Sequence, residues 1–444
     1  MNNISAKEYA ASNLAPSIFY KKEVESKIFA LIDCNNFYVS CERLFRPDLN
    51  NKPIIVLSNN DGCIVSRSNE AKSLGLPMGG PLFKYKNIIK NNNVNIFSSN
   101  YKLYSDISYR VMNSLRSFCP DIEIYSIDEA FLRLDKMSIC NINNFANNIY
   151  SKVSKWTGIP ISIGLAPTKT LSKIANNIAK TRSEFLGVCN LSDIKNIDAI
   201  FKNMKVSEIW GVAKKTEAKL NSINIFTIYD FKNSNQKLIR KILGVVGERI
   251  FLELNGVSCL DIQEVSVRKH ISYSRSFGEK QTKFEEISQA IANHTSCACA
   301  KLRRQKTVAK GIIVYIATSP YSQKENYSNS YSIALDNPSS NSAEFIKKAQ
   351  ECLKKIFRHG YSYHKSGIVL FDISEENILQ ESFLESKIDD ERNKKLMKII
   401  DDSNYKSKSQ ILFFASQGIQ RKWQTKKDLC SPCYTRWEEL ATVK

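Results

Sequence analysis

Two short apolar runs, each ending in acid, limit what this chain can fold into more than any other feature. Ile28 to Ile32 leads into Asp33-Cys34-Asn35-Asn36-Phe37-Tyr38, and Ile122 to Ile127 leads into Asp128-Glu129-Ala130-Phe131. Both runs read as buried strands. A carboxylate at the end of a core strand is costly to desolvate unless something pairs with it. Three carboxylates at two such ends form a ready oxygen set for magnesium, an ion that prefers phosphate-bearing substrates. The chemistry they point to is two-metal phosphoryl transfer. Successive side chains alternate across a strand, so Asp128 and Glu129 reach one site together only at a hairpin tip or a bulge. Asp33 and Asp128 are the first candidates and Glu129 the next. Taken alone, an Asp-Glu pair also reads as a turn cap.

With 444 residues the chain outgrows a single core, and at about 150 residues per domain it holds about three. Lys and Arg number 64 against 44 acidic residues, a formal net charge of +20. Such an excess suits a polyanion partner. The basic residues cluster at Lys301, Arg303, Arg304, Lys306 and Lys310, at Lys202, Lys205, Lys214, Lys215 and Lys219, and at Arg421, Lys422, Lys426 and Lys427. Charge alone does not separate DNA from RNA, from an anionic membrane or from a generally basic surface. No apolar run approaches the roughly 20 residues that span a bilayer. Leu14 to Tyr20 is too short for a signal-peptide core and is broken by Pro16. The expected location is the cytoplasm, with no membrane partner. Twelve cysteines in such a chain read as reduced thiols; Cys430-Ser-Pro-Cys433 and Cys297-Ala-Cys299 lack a second pair at zinc-finger spacing. With 4 histidines, a histidine-based metal site or triad is disfavoured.

Along the chain, a polar leader ahead of Lys27 reads as a helix or a partly ordered arm. Pro53 to Leu57 and Cys63 to Val65 read as strands, Ser68 to Leu74 as a helix stopped by Gly75, and Asn87 to Asn95 as an Asn-rich loop. Tyr101 to Phe118 has helical spacing, Ile122 to Leu134 makes a hairpin around the acidic pair, and Ile159 to Leu165 is a buried strand before a helix from Thr170 to Lys180. After about residue 190, short helices alternate with Gly turns at Ile209-Trp210-Gly211-Val212-Ala213 and Leu243-Gly244-Val245-Val246-Gly247. Helix–turn units of this kind offer backbone N–H groups to DNA phosphates, although they are also common packing. Gly211, Ala213, Lys214 and Lys215 are the candidate contacts there, with Ala213 where such a hairpin usually has Gly. Val265 to Asp372 reads as a βαββαβ-like module, and its Arg275, Arg303 and Arg304 are further DNA-binding candidates. The acidic stretch after Ile373 reads as a linker or docking tail before the aromatic, basic end at Trp423, Tyr434 and Trp437.

In this order, the segments resemble a Y-family translesion DNA polymerase, specifically the UmuC-type catalytic subunit of the bacterial SOS mutagenic polymerase. The likeness runs from about Ile28 to the end. It rests on Asp33 to Tyr38, on Ser126 to Phe131, on Gly164-Leu165-Ala166-Pro167-Thr168-Lys169-Thr170-Leu171-Ser172-Lys173-Ile174-Ala175, and on the closing Leu429-Cys430-Ser431-Pro432-Cys433-Tyr434-Thr435-Arg436-Trp437. It implies a multi-domain α/β right hand. The parts would be a leader at 1–26, an α+β palm at 27–49 and 97–190, fingers at 50–96, a helical thumb at 191–262, a little finger at 263–375 and a partner-binding tail at 376–444. It implies error-prone, template-directed transfer of deoxynucleotides from dNTP to a primer 3′-hydroxyl across damaged DNA, serving repair in the SOS response.

Residue by residue, the resemblance gives two Mg2+ ions to Asp33, Asp128 and Glu129, with help from the Cys34 carbonyl. Tyr38, beside Phe37, resembles the family's steric gate against a 2′-hydroxyl; from its position alone it is a core aromatic. Lys173 and Lys72 fall where the family has triphosphate contacts, and are surface lysines otherwise. Asn69 replaces a frequent Tyr, which implies that the contact is weaker or comes from Arg67. Ser66, with Gly62, implies an open roof over the nascent base pair. Gln380, Phe383 and Leu384 lie where relatives carry a sliding-clamp peptide, with Glu381 in place of an apolar residue. The implied partners are primer-template DNA, a processed UmuD-type dimer, RecA and the sliding clamp. Two other readings stand beside this one, a nucleotidyl cyclase and a non-catalytic DNA-binding checkpoint factor.

Overall fold

The computed structural model describes residues 27–263, 268–321, 326–376, 387–407 and 410–440, with backbone alone at 387–390. The chain divides into two compact units, Met1–Leu44 with Leu103–Glu264 and Phe45–Lys102 with Val265–Lys444. In chain order, β1 (Phe29–Cys34) and α1 (Phe37–Phe45) come first. The insert of the second unit follows with β2 (Ile54–Leu57), β3 (Ile64–Arg67), α2 (Asn69–Ser73), α3 (Lys86–Asn91) and β4 (Asn95–Ser98). The chain then runs through α4 (Tyr101–Arg116), β5 (Ile122–Ile124), β6 (Glu129–Arg133), α5 (Ile142–Thr157), β7 (Ile161–Ala166), α6 (Lys169–Thr181) and β8 (Val188–Asn190). Four helices continue the first unit: α7 (Ile197–Lys202), α8 (Lys214–Asn221), α9 (Ile228–Lys232) and α10 (Gln236–Leu254). The second unit resumes with β9 (Ile271–Gln281), α11 (Phe284–Arg304), β10 (Thr307–Thr318), β11 (Ser328–Ser339), α12 (Ser342–Ile356), β12 (Tyr363–Glu375) and α13 (Lys387–Lys406).

The first unit is built on a five-stranded sheet of order β5-β6-β1-β7-β8. β1 pairs antiparallel with both β6 and β7, so it lies at the sheet's centre. Its continuous apolar run matches burial on both faces. Helix α6 packs on β7 and β1, and its approach is set by Gly164. A Cβ there would lie 2.2 Å from the Asn176 nitrogen and 2.3 Å from the Ser172 carbonyl oxygen. Asn176 completes the seam by donating to the carbonyls of Leu31 and Ser162. At the start of α6, Thr168 caps the helix, and buried Glu253 at the end of α10 accepts from the amides of Thr170, Cys259 and Leu260. The helix that carries Lys173 is therefore fixed along its length.

In the second unit the insert forms a three-stranded sheet β3-β2-β4 over a small core that includes Ile55, Leu57, Ile64 and Leu76. The βαββαβ module forms an antiparallel sheet β11-β10-β12-β9 with α11 and α12 packed on it.

The elements that differ from the sequence reading include these four. The start of the Asn-rich stretch is helix α3, with buried Ile89 holding it to the insert core. Helix α5 had no counterpart: its apolar positions Ala146, Ile149 and Val153 recur at helical spacing among asparagines and serines that hide the pattern. Edge strand β11 is so rich in Ser and Asn that it lacks a strand signature, and its alternation is weak because most of it is exposed. Helix α13 occupies part of the stretch read as a linker. Among the described residues, no helix is long and apolar enough to cross a membrane, and all twelve cysteines are free.

Candidate active site

The two acidic strand ends meet. In the β1/β6 ladder Asp33 stands directly opposite Glu129, and residues directly opposite share a face of the sheet. Asp128 is not in the strand but in the turn just before it, so the alternation that would send neighbours to opposite faces is broken there. The turn is held by Ser126, whose hydroxyl donates to the Asp128 carboxylate at 2.5 Å and accepts from the amides of Asp128 and Glu129. The Asp128 carbonyl accepts from the Cys34 amide at 2.9 Å, which ties the tip of the hairpin to the end of β1.

Each of the paired carboxylates has a lysine from α6. Lys180 reaches Asp33 at 2.6 Å and Lys173 reaches Glu129 at 2.8 Å. Burial, opposed by Lys180 and reinforced by Glu129 and Asp128, raises the Asp33 carboxyl to about 6. Burial also pushes the Cys34 thiol well up, with Asp33 and Asp128 adding to the shift, so Cys34 is a neutral thiol. The Lys173 ammonium lies 4.6 Å from the Tyr125 ring and 5.2 Å from the Trp210 ring, with Phe131 at 6.0 Å. A third lysine, Lys169, is almost fully buried against Glu123 at 2.5 Å and the Asp261 carbonyl. Lys180, Lys169 and Trp210 were not singled out from the sequence. Lys169, Lys173 and Lys180 are spaced by four and seven residues, one face of a helix, and that spacing was the available signal.

Phe37 is buried at the first turn of α1 and Tyr38 is half-buried. The Tyr38 ring stacks on Tyr104 at 4.5 Å, and the Tyr104 hydroxyl donates to buried Glu42 at 2.6 Å. In the second unit, Ser66 is buried in β3, and the Arg67 guanidinium donates to the Leu76 carbonyl. Lys72 is exposed on α2 and donates to Asn69 at 3.2 Å.

Gly211, Ala213, Lys214 and Lys215 are exposed at the turn into α8. Gly211 carries the positive φ of that turn, +91°, and Ala213 is extended at φ −92°. Alanine therefore fits without strain where glycine was expected. Gly244, at φ +70°, divides α10 into the second helix–turn–helix. In the βαββαβ module Arg304 is exposed and Arg275 lies over Tyr273 at 4.4 Å. Arg303 differs from its expected role. Its guanidinium pairs with Asp401 of α13 at 2.7 Å and donates to the Ser340 carbonyl and Ser342 hydroxyl, so it fastens α13 instead of offering a free cation to DNA. Gln380, Phe383 and Leu384 lie outside the described residues.

The stretch that carries all three carboxylates and Lys173 matches a family model described as the impB/mucB/samB family, over residues 32–177, and the C-terminal domain of that family matches residues 268–383. Protein UmuC of Salmonella typhimurium is 40% identical over 422 residues, covering 94% of this chain and 100% of that protein. The chain belongs to the impB/mucB/samB family. Within this family Protein ImpB of Salmonella typhimurium is 39% identical, again over 94% of this chain and 100% of its own. Further away, DNA polymerase IV of Oceanobacillus iheyensis is 29% identical over 65% of this chain and 69% of its own. The family fold is a polymerase fold. The Y-family DNA polymerase chimera of Dbh and Dpo4 superposes with a TM-score of 0.63 at 22% identity, covering 78% of this chain and 99% of that one. Residues 394–443 match a domain of unknown function, DUF4113.

Proposed function

We propose that this impB/mucB/samB-family chain joins deoxynucleotides to a primer at the Asp33, Asp128 and Glu129 cluster. The chain is a Y-family, UmuC-type DNA polymerase that carries out translesion synthesis in SOS mutagenesis and DNA repair. The observation that carries the placement of the chemistry is the Asp33–Glu129 cross-strand pair with Asp128 at the adjoining turn.

The donor set fits magnesium. All three side chains offer hard carboxylate oxygens, the charges of Glu129 and Asp128 lie close enough to help hold the Asp33 carboxyl above its ordinary range, and the repulsion is met by two ammonium groups that a divalent cation can replace. Among the described residues no group of three or more His, Cys, Asp or Glu side chains is already gathered around one point, because Asp33 and Glu129 are turned onto their lysines. When bound, magnesium would make the primer hydroxyl more acidic and neutralise triphosphate charge. The chain's own residues do the rest. Asp33 from the end of β1, and Asp128 from the turn held by Ser126, would hold the cation from fixed backbone. Lys173 and Lys180, released from the carboxylates, become available as point-charge partners for the triphosphate. Tyr38, fixed by its stack on Tyr104, stands as the steric gate against a 2′-hydroxyl. Ser66, Arg67 and Lys72 are assigned to the nucleotide on their chemistry, and Lys214, Lys215 and Arg304 to DNA phosphate. The Cys34 carbonyl, next to Asp33, completes the oxygen set. As partners we assign a processed UmuD-type dimer, RecA and the sliding clamp.

The test is primer extension past an abasic site with magnesium and all four dNTPs, with and without the accessory dimer and activated RecA, beside Asp128→Ala. Extension that disappears in the variant is the expected result. No extension under any condition with DNA binding intact would overturn the catalytic reading in favour of a checkpoint factor that acts by occupancy.

A further inference from the structure

We propose that residues 410–434, inside the domain of unknown function, are an intramolecular ligand: they bind the open edge of the insert sheet and fasten the insert to the βαββαβ module. The whole path lies within the second unit. It begins on the module. Gly418, at φ +71°, brings the backbone so close to α11 that a Cβ would lie 2.3 Å from the Gln289 side-chain oxygen. Arg421 knots this stretch by donating to Gln410 and the Gly418 carbonyl while lying 4.8 Å over the Phe413 ring. Trp423 is 4% exposed within the module core, 5.9 Å from the His294 ring. The Gln424 carbonyl then accepts from the Gly278 amide of β9 at 3.1 Å, and a Cβ on Gly278 would run into that same oxygen at 2.4 Å. β9 is cleared for this segment at the residue where the two backbones touch.

Asn60 of the insert joins the two sides. Its side-chain amide donates to the Phe277 carbonyl of β9 at 2.7 Å and accepts from the Lys426 amide at 2.9 Å. It sits at φ +64°, a conformation asparagine tolerates better than most residues. The segment next covers β4, the edge of the three-stranded sheet. Ser98 and Cys430 form a parallel bridge, with the Ser98 amide donating to the Leu429 carbonyl at 2.9 Å and the Leu429 amide to the Ser98 hydroxyl at 3.1 Å. Asn100 follows, donating to the Ser431 carbonyl at 2.9 Å and the Pro432 carbonyl at 3.3 Å, and Tyr434 stacks on Phe45 at 4.8 Å. Phe45 and Asn100 stand near the two ends of the insert. An exposed edge strand is a template for unwanted pairing. Strand addition at that edge closes it with main-chain hydrogen bonds.

Two measurements on the full chain test this. Asn100→Asp replaces the donors facing two carbonyls with acceptors. Amide exchange at Ser98 is expected to quicken tenfold or more and to rise across β2, with β10 and β12 unchanged; Tyr434→Ala is expected to do the same to a smaller degree. Independently, S98C places a thiol opposite native Cys430, and diamide is expected to link the two as a disulfide, identified by peptide mass. Unchanged Ser98 exchange in both variants, or no S98C–Cys430 link in a chain whose β10 and β12 amides remain protected, would overturn the proposal. Neither readout depends on polymerase activity, so failure of the catalytic reading leaves this one standing.

Discussion

The two units bury titratable groups in opposite ways. On the five-stranded sheet, Asp33 and Glu129 are largely buried and keep ionic partners, Lys180 and Lys173. In the βαββαβ module, His294 is fully buried, and neither ring nitrogen has a hydrogen-bond partner among the described residues. Burial lowers that imidazole to about 3, with Arg275 adding to the shift, so it is neutral, wedged between Tyr273 and Trp423. A neutral ring is tolerated in a core far better than a charge. Glu253 shows a third solution, a buried carboxylate held by three backbone amides that cannot swing away. The partners of Asp33 and Glu129 are long side chains that can. Charge that is buried and matched by movable cations marks a place where a ligand takes over; charge locked by backbone, or removed altogether, marks architecture.

The largest effect breaks the first side of this contrast. Asp33→Asn keeps the shape of the strand end and removes its charge, and primer extension is expected to fall on the order of 1,000-fold or more, as for loss of a metal-holding group. Glu253→Gln, which alters an equally buried carboxylate, is expected to lower thermal stability with much less loss of kcat. Equal losses of kcat in the two variants would show that burial, not the movable pairing, decides which carboxylate acts.

The second side is tested by pH. Unfolded, the His294 imidazole has its ordinary value near 6.5; folded, it holds out to about 3. Between those values the unfolded chain binds one more proton, so the contribution of His294 to stability is complete above pH 6.5 and declines as pH falls. The folding constant is expected to drop about tenfold per pH unit from this group alone. His294→Leu is expected to remove that part of the slope and leave the carboxylate part, measured as urea midpoints of the module from pH 6.5 downward. Identical slopes in the two proteins would mean that the buried ring carries a proton.

Much of the geometry of the carboxylate cluster is legible in the sequence because short-range rules decide it. Apolar runs ending at Asp33 and Asp128 become paired strands, and the requirement for a break in alternation is met by the turn at 125–128. Strands β9, β10 and β12 of the module and both of its helices follow from their periodicity. What is not legible is long-range or hidden by composition. Lys180 is one more surface lysine until α6 is laid on β7, and that docking depends on Gly164, whose role is visible only when Asn176 and Ser172 lie against it. Arg303 is indistinguishable from its basic neighbours until α13 delivers Asp401, 98 residues later. Asparagine and serine conceal α5 and β11, because both residues are read as loop formers while the few apolar positions do the packing.

A finer effect concerns the exchange of lysine for ligand. Lys180→Met leaves Asp33 without its ammonium beside two other carboxylates. The part-exposed pair is screened, so the metal-free protein is expected to lose only about 1 kcal/mol of stability. Magnesium is expected to return it, so that the rise in Tm on adding saturating magnesium is larger in Lys180→Met than in the parent chain. An equal rise in both would mean that the lysine and the cation do not compete for Asp33.

The smallest effect separates holding from acting. Trp210 is one wall of the aromatic surround of the Lys173 ammonium and also meets Tyr125 edge-on at 5.4 Å. A desolvated cation over such a ring is held by about 1–2 kcal/mol, so Trp210→Ala loosens Lys173 without removing any charge. Because Trp210 directly precedes Gly211, in the turn proposed to meet DNA phosphate, the same ring links that turn through Lys173 to Glu129. Trp210→Ala is expected to lower kcat for nucleotide addition roughly threefold to tenfold, with dNTP KM changed less, and Trp210→Phe to restore most of it. A loss that Phe does not rescue, or one confined to DNA affinity, would assign Trp210 to the thumb turn alone and leave Lys173 held by Glu129 and Tyr125.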